Sequence, residues 1–230
     1  MTTTIDAHST GKAAKILAAA EELILKQGFK GVTMAALAQR AHVGKGTPYL
    51  YWRTKEDLFL ELIIGNLADA LSGIAEKVRA APDLALADRL CPTIADAWLG
   101  HPLVRAVQSA DVDVLGALVD DPRAHALVLE NGAPALIKAL LPIWRETGLI
   151  RTDWSVDEQA DALELVLVGY FVTRTRRLGR TRDAQGPDTL RRTVAALLLT
   201  DDAPVAGADV AEAVCAVLEA HAQRLRALIA

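Results

Sequence analysis

Apolar residues recur at helical spacing along most of this chain. Ile16, Ala19, Ala20, Leu23 and Ile24 form one stripe, with Lys12, Lys15 and Lys26 off it, which predicts a helix over 10–27. Gly28 suits the left-handed stop that ends such a helix. Thr33 is a good N-cap for a short helix over 34–40, where Met34, Leu37 and Ala38 share a face. Residues 41–43 read as a tight turn and 44–52 as a short third helix. Thr54 and Asp57 have the spacing of a capping box, with Asp in place of Glu. It would open a long fourth helix lined on one side by Leu58, Leu62, Leu67, Leu71, Ile74 and Val78.

Further helices are predicted over 83–99, 102–109, 123–146, 155–178, 188–200 and 208–229, separated by Pro and Gly. Pro134 and Pro142 should kink or split the 123–146 segment. No alternating run of strand length and no internal repeat is present, so the expected class is all-α. Two late helices stand apart. In 155–178, Leu163, Val166, Leu167, Tyr170 and Phe171 form a stripe, and Leu165, Val168 and Val172 lie outside it. In 208–229, Val210, Val214, Val217, Leu218, Leu225 and Leu228 form a long stripe. A helix apolar nearly all round is either central in the monomer or covered by a partner. The second reading gives a homodimer through the C-terminal helices.

Composition agrees with the periodicity. Ala (42) and Leu (34) make up a third of the 230 residues, and both favour helix. An apolar fraction of 52% is ample for a core and argues against disorder. The richest apolar stretch, 58–64, is broken by Glu61, and the first ten residues lack the basic start and apolar middle of a signal peptide. No membrane span and a cytoplasmic location are therefore expected. Cys91 and Cys215 form no CxxC and read as buried free thiols.

Charge changes the picture once it is split by position. Residues 1–55 hold 8 Lys/Arg against 3 Asp/Glu, whereas 56–230 hold 17 against 26. The aromatics are skewed too: Phe29, Tyr49, Tyr51, Trp52 and Phe59 lie in the first 59 residues. This divides the chain into a small basic domain (1–55) and a larger acidic helical domain (56–230). The basic domain is the one suited to a polyanion.

Helix, three-residue turn and short helix make a helix-turn-helix. Ala38 supplies the small residue at the helix crossing, and Val43 the apolar lock after the turn. Gly44, Lys45, Gly46 and Thr47 keep bulk low where the second helix begins, and the Thr47, Tyr49 and Tyr51 hydroxyls suit phosphate oxygens. Taken in order, Gly28-Phe29, Thr33-Met34-Ala35-Ala36-Leu37-Ala38, Val43 through Trp52 and Lys55-Glu56-Asp57-Leu58-Phe59 resemble the DNA-binding domain of TetR-family transcriptional regulators over about residues 10–60.

The resemblance implies an all-helical homodimer. It would have an N-terminal three-helix DNA-binding domain and a larger domain for dimerisation and a small-molecule effector. It further implies a repressor that the effector releases from a palindromic double-stranded operator, needing no cofactor. By position in the motif, Thr33 would cap the second helix and touch a phosphate. Lys45, Gly46 and Thr47 would begin the recognition helix, and Tyr49 and Tyr51 would touch the DNA backbone. Lys55 would meet phosphate at the start of the fourth helix, and Trp52 would pack the small core. The chain departs from the family pattern at His42, where Gly is usual, and at Pro48, where a long apolar residue is common. The first position commonly takes a left-handed backbone. The second removes an N–H from the recognition helix.

In the large domain Trp98, His101, Gln108, Trp144, Tyr170 and Phe171 are candidates to line an effector pocket. Arg174, Arg176, Arg177, Arg180 and Arg182 cluster at a helix end, where cations complement the helix dipole. There is no HExxH, no GxSxG and no phosphate-cradling glycine loop, so no catalytic or metal site is expected. Two rivals to a ligand-released repressor remain. One is a ligand-independent regulator or activator of the same fold. The other is a small-molecule-binding helical protein without DNA function.

Overall fold

The computed structural model describes residues 11–108, 122–123, 131–175, 186–200 and 207–229. Among these residues the regular structure is helical, apart from a single antiparallel bridge between Ile150 and Leu199. The helices are α1 (Gly11–Gly31), α2 (Met34–Arg40), α3 (Lys55–Ala80), α4 (Ala87–Gly100), α5 (Pro102–Gln108), α6 (Ala133–Glu146), α7 (Val156–Thr175), α8 (Gly186–Leu198) and α9 (Ala208–Ala227). Short 3-10 turns occupy Pro48–Leu50 and Pro82–Ala85.

Local sequence explains most of these limits. The regular part of α1 ends at Gly28, whose φ of 69° is open to glycine and strained for other residues. Thr33 caps α2 by accepting from the Ala36 N–H at 3.1 Å. Thr54 and Asp57 close the expected capping box on α3, with bonds of 3.0 and 3.1 Å. The helix expected over 83–99 is divided at Leu86, which is extended at ψ 141°. Pro134 falls at the start of α6, where a missing N–H costs little, and α6 continues through Pro142 without a break.

α1, α2 and the first turns of α3 share a small core of Ile16, Ala20, Ile24, Leu37, Trp52, Leu58 and Phe59. Phe29 meets Phe59 edge-on at 5.2 Å. α3 continues without interruption past the expected boundary at residue 55 and becomes the spine of the large domain. α9 lies along α3, α8 packs on α4, and α6 touches both α7 and α9. α3 is long and apolar enough to cross a membrane by length and composition, but 67% of that window is buried inside the fold.

The apolar stripe of α9 is used within the chain. Val210, Val214, Leu218 and Leu225 are buried, and Arg226 reaches back to Asp69 of α3 at 2.8 Å. Leu228, at the end of that stripe, is 55% exposed, and on α7 Leu165 is 75% and Val168 51% exposed. This narrows the expected dimer surface. α7 thus carries an uncovered apolar face, whereas most of the α9 stripe covers α3.

One histidine is built into the large core. His221 on α9 is 1% exposed, with Nε2 2.6 Å from the Asn131 carbonyl and Nδ1 2.8 Å from Arg224. A carbonyl only accepts and a guanidinium only donates, so the ring is neutral with its proton on Nε2. Burial lowers its pKa; the Asn131 bond opposes this and the Arg224 charge adds to it. The unfolded chain therefore binds protons below about pH 6.5 that the folded chain refuses. Stability should fall as pH drops from there until the lowered pKa is passed. The melting temperature from pH 8 to 5 checks this. His221→Asn should flatten the fall, and an equally steep fall in the variant would assign the acid sensitivity elsewhere.

Candidate functional site

The segment after the turn differs from the expected helix over 44–52. Residues 44–47 are non-helical, with a turn at 45–46, and Pro48–Leu50 is a single 3-10 turn. Its bonds run Thr47 to Gly44 (2.8 Å), Tyr49 to Gly46 (3.2 Å), Leu50 to Thr47 (3.1 Å) and Tyr51 to Pro48 (3.1 Å), each three residues apart, and the closing bond, Trp52 to Pro48 (3.0 Å), spans four. Pro48 is the physical reason. It has no N–H to give to Gly44, so the four-residue bond that would start an α-helix is absent. Two glycines within three residues weaken the helical alternative further. His42, the other departure from the family pattern, adopts φ 54°, so the left-handed turn forms without glycine.

A 3-10 turn aligns residues three apart, so it presents a different face from an α-helix. Lys45, Gly46 and Tyr49 are exposed, Tyr49 by 58%. Leu50 is 78% exposed, and Arg53 is exposed just beyond it. Sequence reasoning passed over Leu50 and Arg53, because α-helical spacing gives no cue that an apolar residue at 50 faces outward. An alanine Cβ at Gly46 would meet no atom of the chain within 4 Å, whereas at Gly44 it would lie 3.3 Å from Thr47 Oγ1. Gly44 thus has an internal reason to be small, whereas nothing within the chain requires Gly46 to be.

The other expected DNA contacts divide. Thr33 is exposed, and its hydroxyl proton remains available while its oxygen caps α2. Thr47 is partly buried. Tyr51 is half-buried with its ring 5.4 Å from Trp52. Lys55 turns inward: its ammonium donates to the Phe29 and Val32 carbonyls at 2.9 and 3.0 Å and lies 4.0 Å from the Phe29 ring. It ties the α1–α2 connector to the start of α3. Trp52 is buried and donates Nε1–H to Glu61 at 2.6 Å, fastening the segment to α3. Arg40 is paired with Glu22 of α1, which leaves Lys45 and Arg53 as exposed cations of this segment.

The expected effector residues also separate. Trp98, Trp144 and Phe171 converge with Cys91, Ile94 and Leu163 on an apolar cleft between α4, α6 and α7. Tyr170 stands beside it, edge-on to Phe171 at 6.3 Å. Burial first, and the Asp96 carboxylate next, push its phenol pKa up. His101 is not in the cleft. It sits at the α4–α5 corner with Nε2 3.5 Å from Glu21 of α1. Gln108 ends α5, and its side chain lies outside the described residues. So do Arg176, Arg177, Arg180 and Arg182 of the arginine run.

Among the described residues, polar contacts away from the Trp52 bond also tie the N-terminal helices to the rest of the fold. One is His101 to Glu21, and another is Arg123 to Asp57 at 2.6 Å. Burial would raise the Asp57 pKa, but bonds from Arg123 and Thr54 outweigh it and hold the carboxyl below its usual range. Asp57 therefore links the cap of α3 to the large domain.

Residues 16–62 match the family model described as bacterial regulatory proteins, tetR family. The chain is 38% identical over 56 residues to the HTH-type transcriptional regulator YdeS of Bacillus subtilis, covering 24% of this chain and 28% of that protein. It is 39% identical over 49 residues to the HTH-type transcriptional regulator QacR of Staphylococcus aureus, covering 21% and 26%. The match thus spans little more than a quarter of either relative's length. In fold, the chain is similar to SmeT of Stenotrophomonas maltophilia, described as the repressor of the multidrug efflux pump SmeDEF. The TM-score is 0.58 at 15% identity, over 88% of this chain and 96% of that one.

Proposed function

We propose, from the premise that this chain belongs through its N-terminal domain to the tetR family of bacterial regulatory proteins, that it is a homodimeric transcriptional repressor released from DNA by a small molecule. The carrying observation is the exposed Lys45-Gly46 and Tyr49-Leu50 edge, held on α1 and α2 and fastened to α3 by Trp52. Lys45, Arg53 and the Thr33 hydroxyl suit phosphates, which position the domain without reading sequence. Leu50 suits a thymine methyl, and Gly46 allows close approach to the groove. Lys55 and Tyr51 serve the frame more than the contact. The named role of SmeT supports repression over activation.

Dimerisation through the outward face of α7 would place two such edges on a palindrome, with half-sites about 34–36 Å apart. Effector binding in the cleft would displace α4, and through His101–Glu21 and Arg123–Asp57 would tilt the DNA-binding domain. Such a ligand releases DNA only by favouring the state with the wrong spacing. A regulator of this kind acts where the chromosome is, in the cytoplasm.

Footprinting on the DNA flanking its own gene tests the reading, with a protected palindrome expected. Lys45→Ala should weaken binding uniformly across sequences and lower the salt slope by about one per subunit. An unchanged slope removes Lys45 from the phosphate contacts. Failure to protect any palindrome supports the DNA-free alternative. Lower rather than higher transcript in a deletion strain marks an activator.

A further inference from the structure

We infer that the operator is read through the 5-methyl group of a pyrimidine seated on Leu50, so that 5-methylcytosine gains as much from this contact as thymine does. This rests on the reading of the segment as the DNA-contacting edge.

Leu50 is 78% exposed, the most exposed large apolar side chain among the described residues. A lone leucine in water is ordinary on a protein surface, so its setting is what matters. The exposed cations Lys45 and Arg53 stand on either side of it along the chain, and Tyr49 beside it is 58% exposed. Cations on both sides suit a polyanion. The apolar group that duplex DNA offers in its major groove is the thymine methyl. 5-Methylcytosine carries the same methyl on the same ring carbon.

The backbone gives Leu50 a clear approach. The Thr47 N–H bonds to the Gly44 carbonyl and the Leu50 N–H to the Thr47 carbonyl, so the three residues align along the turn. Gly44 and Thr47 are small, and no longer side chain on that line holds a base away from Leu50.

Rival readers are scarce. Residues 44–52 hold no Arg, Asn, Gln, Asp or Glu, the side chains that pair with base edges through two bonds or accept from cytosine. Pro48 and Trp52 are buried, Thr47 is partly buried, and Tyr51 is half-buried against Trp52. Lys45 remains as a cation free to meet phosphate or guanine. A leucine that meets the ring methyl is indifferent to the pairing edge. It therefore separates thymine from uracil, and 5-methylcytosine from cytosine, by the same factor. A cytosine at that position becomes a stronger site once methylated. Burying one methyl is worth about fourfold in affinity, hence about fifteenfold over the two half-sites of a palindrome.

Gel shifts with the full chain test this on the DNA flanking its own gene, amplified with dTTP or with dUTP in its place. The dUTP fragment, which lacks the methyl groups, should bind about fifteenfold more weakly. Synthetic duplexes then carry deoxyuridine at one symmetric pair of positions at a time, and most of the loss should fall on one pair. At that pair 5-methylcytosine should bind about fifteenfold more tightly than cytosine. Leu50→Ala should bind the dTTP and dUTP fragments alike, with circular dichroism confirming an unchanged fold. Equal affinity of the unaltered protein for the two fragments, a loss spread over many pairs, no gain from 5-methylcytosine, or an undiminished ratio in Leu50→Ala each overturns the inference. Specific binding without methyl dependence overturns the inference and leaves the DNA reading standing. No salt-sensitive binding to any fragment removes the DNA reading, and the inference falls with it.

Discussion

Trp52→Ala should abolish operator binding while leaving the large domain helical. Trp52 is 3% exposed and bonded at 2.6 Å to Glu61, itself 7% exposed. Truncating a buried Trp costs about 3–5 kcal/mol through lost burial and the cavity left behind. Leaving the buried Glu61 carboxyl without that donor costs about 1–3 kcal/mol more, though the two terms are not strictly additive. The sum is comparable to the whole stability of a small domain, about 5–15 kcal/mol. Trp52→Phe keeps most of the bulk and loses only the bond, so it should cost about 1–3 kcal/mol and leave weakened binding. Urea denaturation followed by far-UV circular dichroism, with gel shifts on the same preparations, separates the two. Trp52→Ala with an unchanged unfolding curve and normal DNA binding would show that the recognition segment is not fastened through this residue.

Leu165→Arg should give a monomer that binds operator at least a hundredfold more weakly. The outer face of α7 presents Leu165 and Val168 to solvent, the kind of apolar surface that marks an interface. In a two-fold dimer each residue of the interface is used twice, so one substitution places two guanidinium groups in the shared core. An unpaired buried charge there costs about 3–5 kcal/mol each. A monomer reaches one half-site only and loses the spacing that a palindrome rewards. Sedimentation velocity and gel shift make the comparison. A Leu165→Arg protein that remains dimeric moves the interface off this face of α7.

Much of the fold was legible in the chain because its signals are local. The 3.6-residue apolar period, the Thr33 and Thr54 caps and the stop at Gly28 act within a few residues of themselves. They yield nearly the observed limits of α1, α2 and α3. The recognition segment was legible in position and illegible in form. Its conformation depends on one absent N–H at Pro48, and that absence turned Leu50 outward. Lys55 illustrates a second limit. Its motif position suggested phosphate, but two carbonyls 23 and 26 residues earlier in the chain hold its ammonium. His101 was grouped with the cleft on residue type, and the α4–α5 corner placed it against α1 instead.

The sequence by itself determined that the chain is helical, that its N-terminal segment is basic and carries the helix-turn-helix pattern, and where α1, α2 and α3 begin. These follow from periodicity, capping and charge, which are properties of neighbours along the chain. Only the tertiary structure decided which apolar stripe is spent inside the monomer and which faces out, since α7 and α9 look equally greasy on paper. Only it brought Trp98, Trp144 and Phe171 to one cleft. Burial and pairing are relations between distant segments, and no local rule contains them.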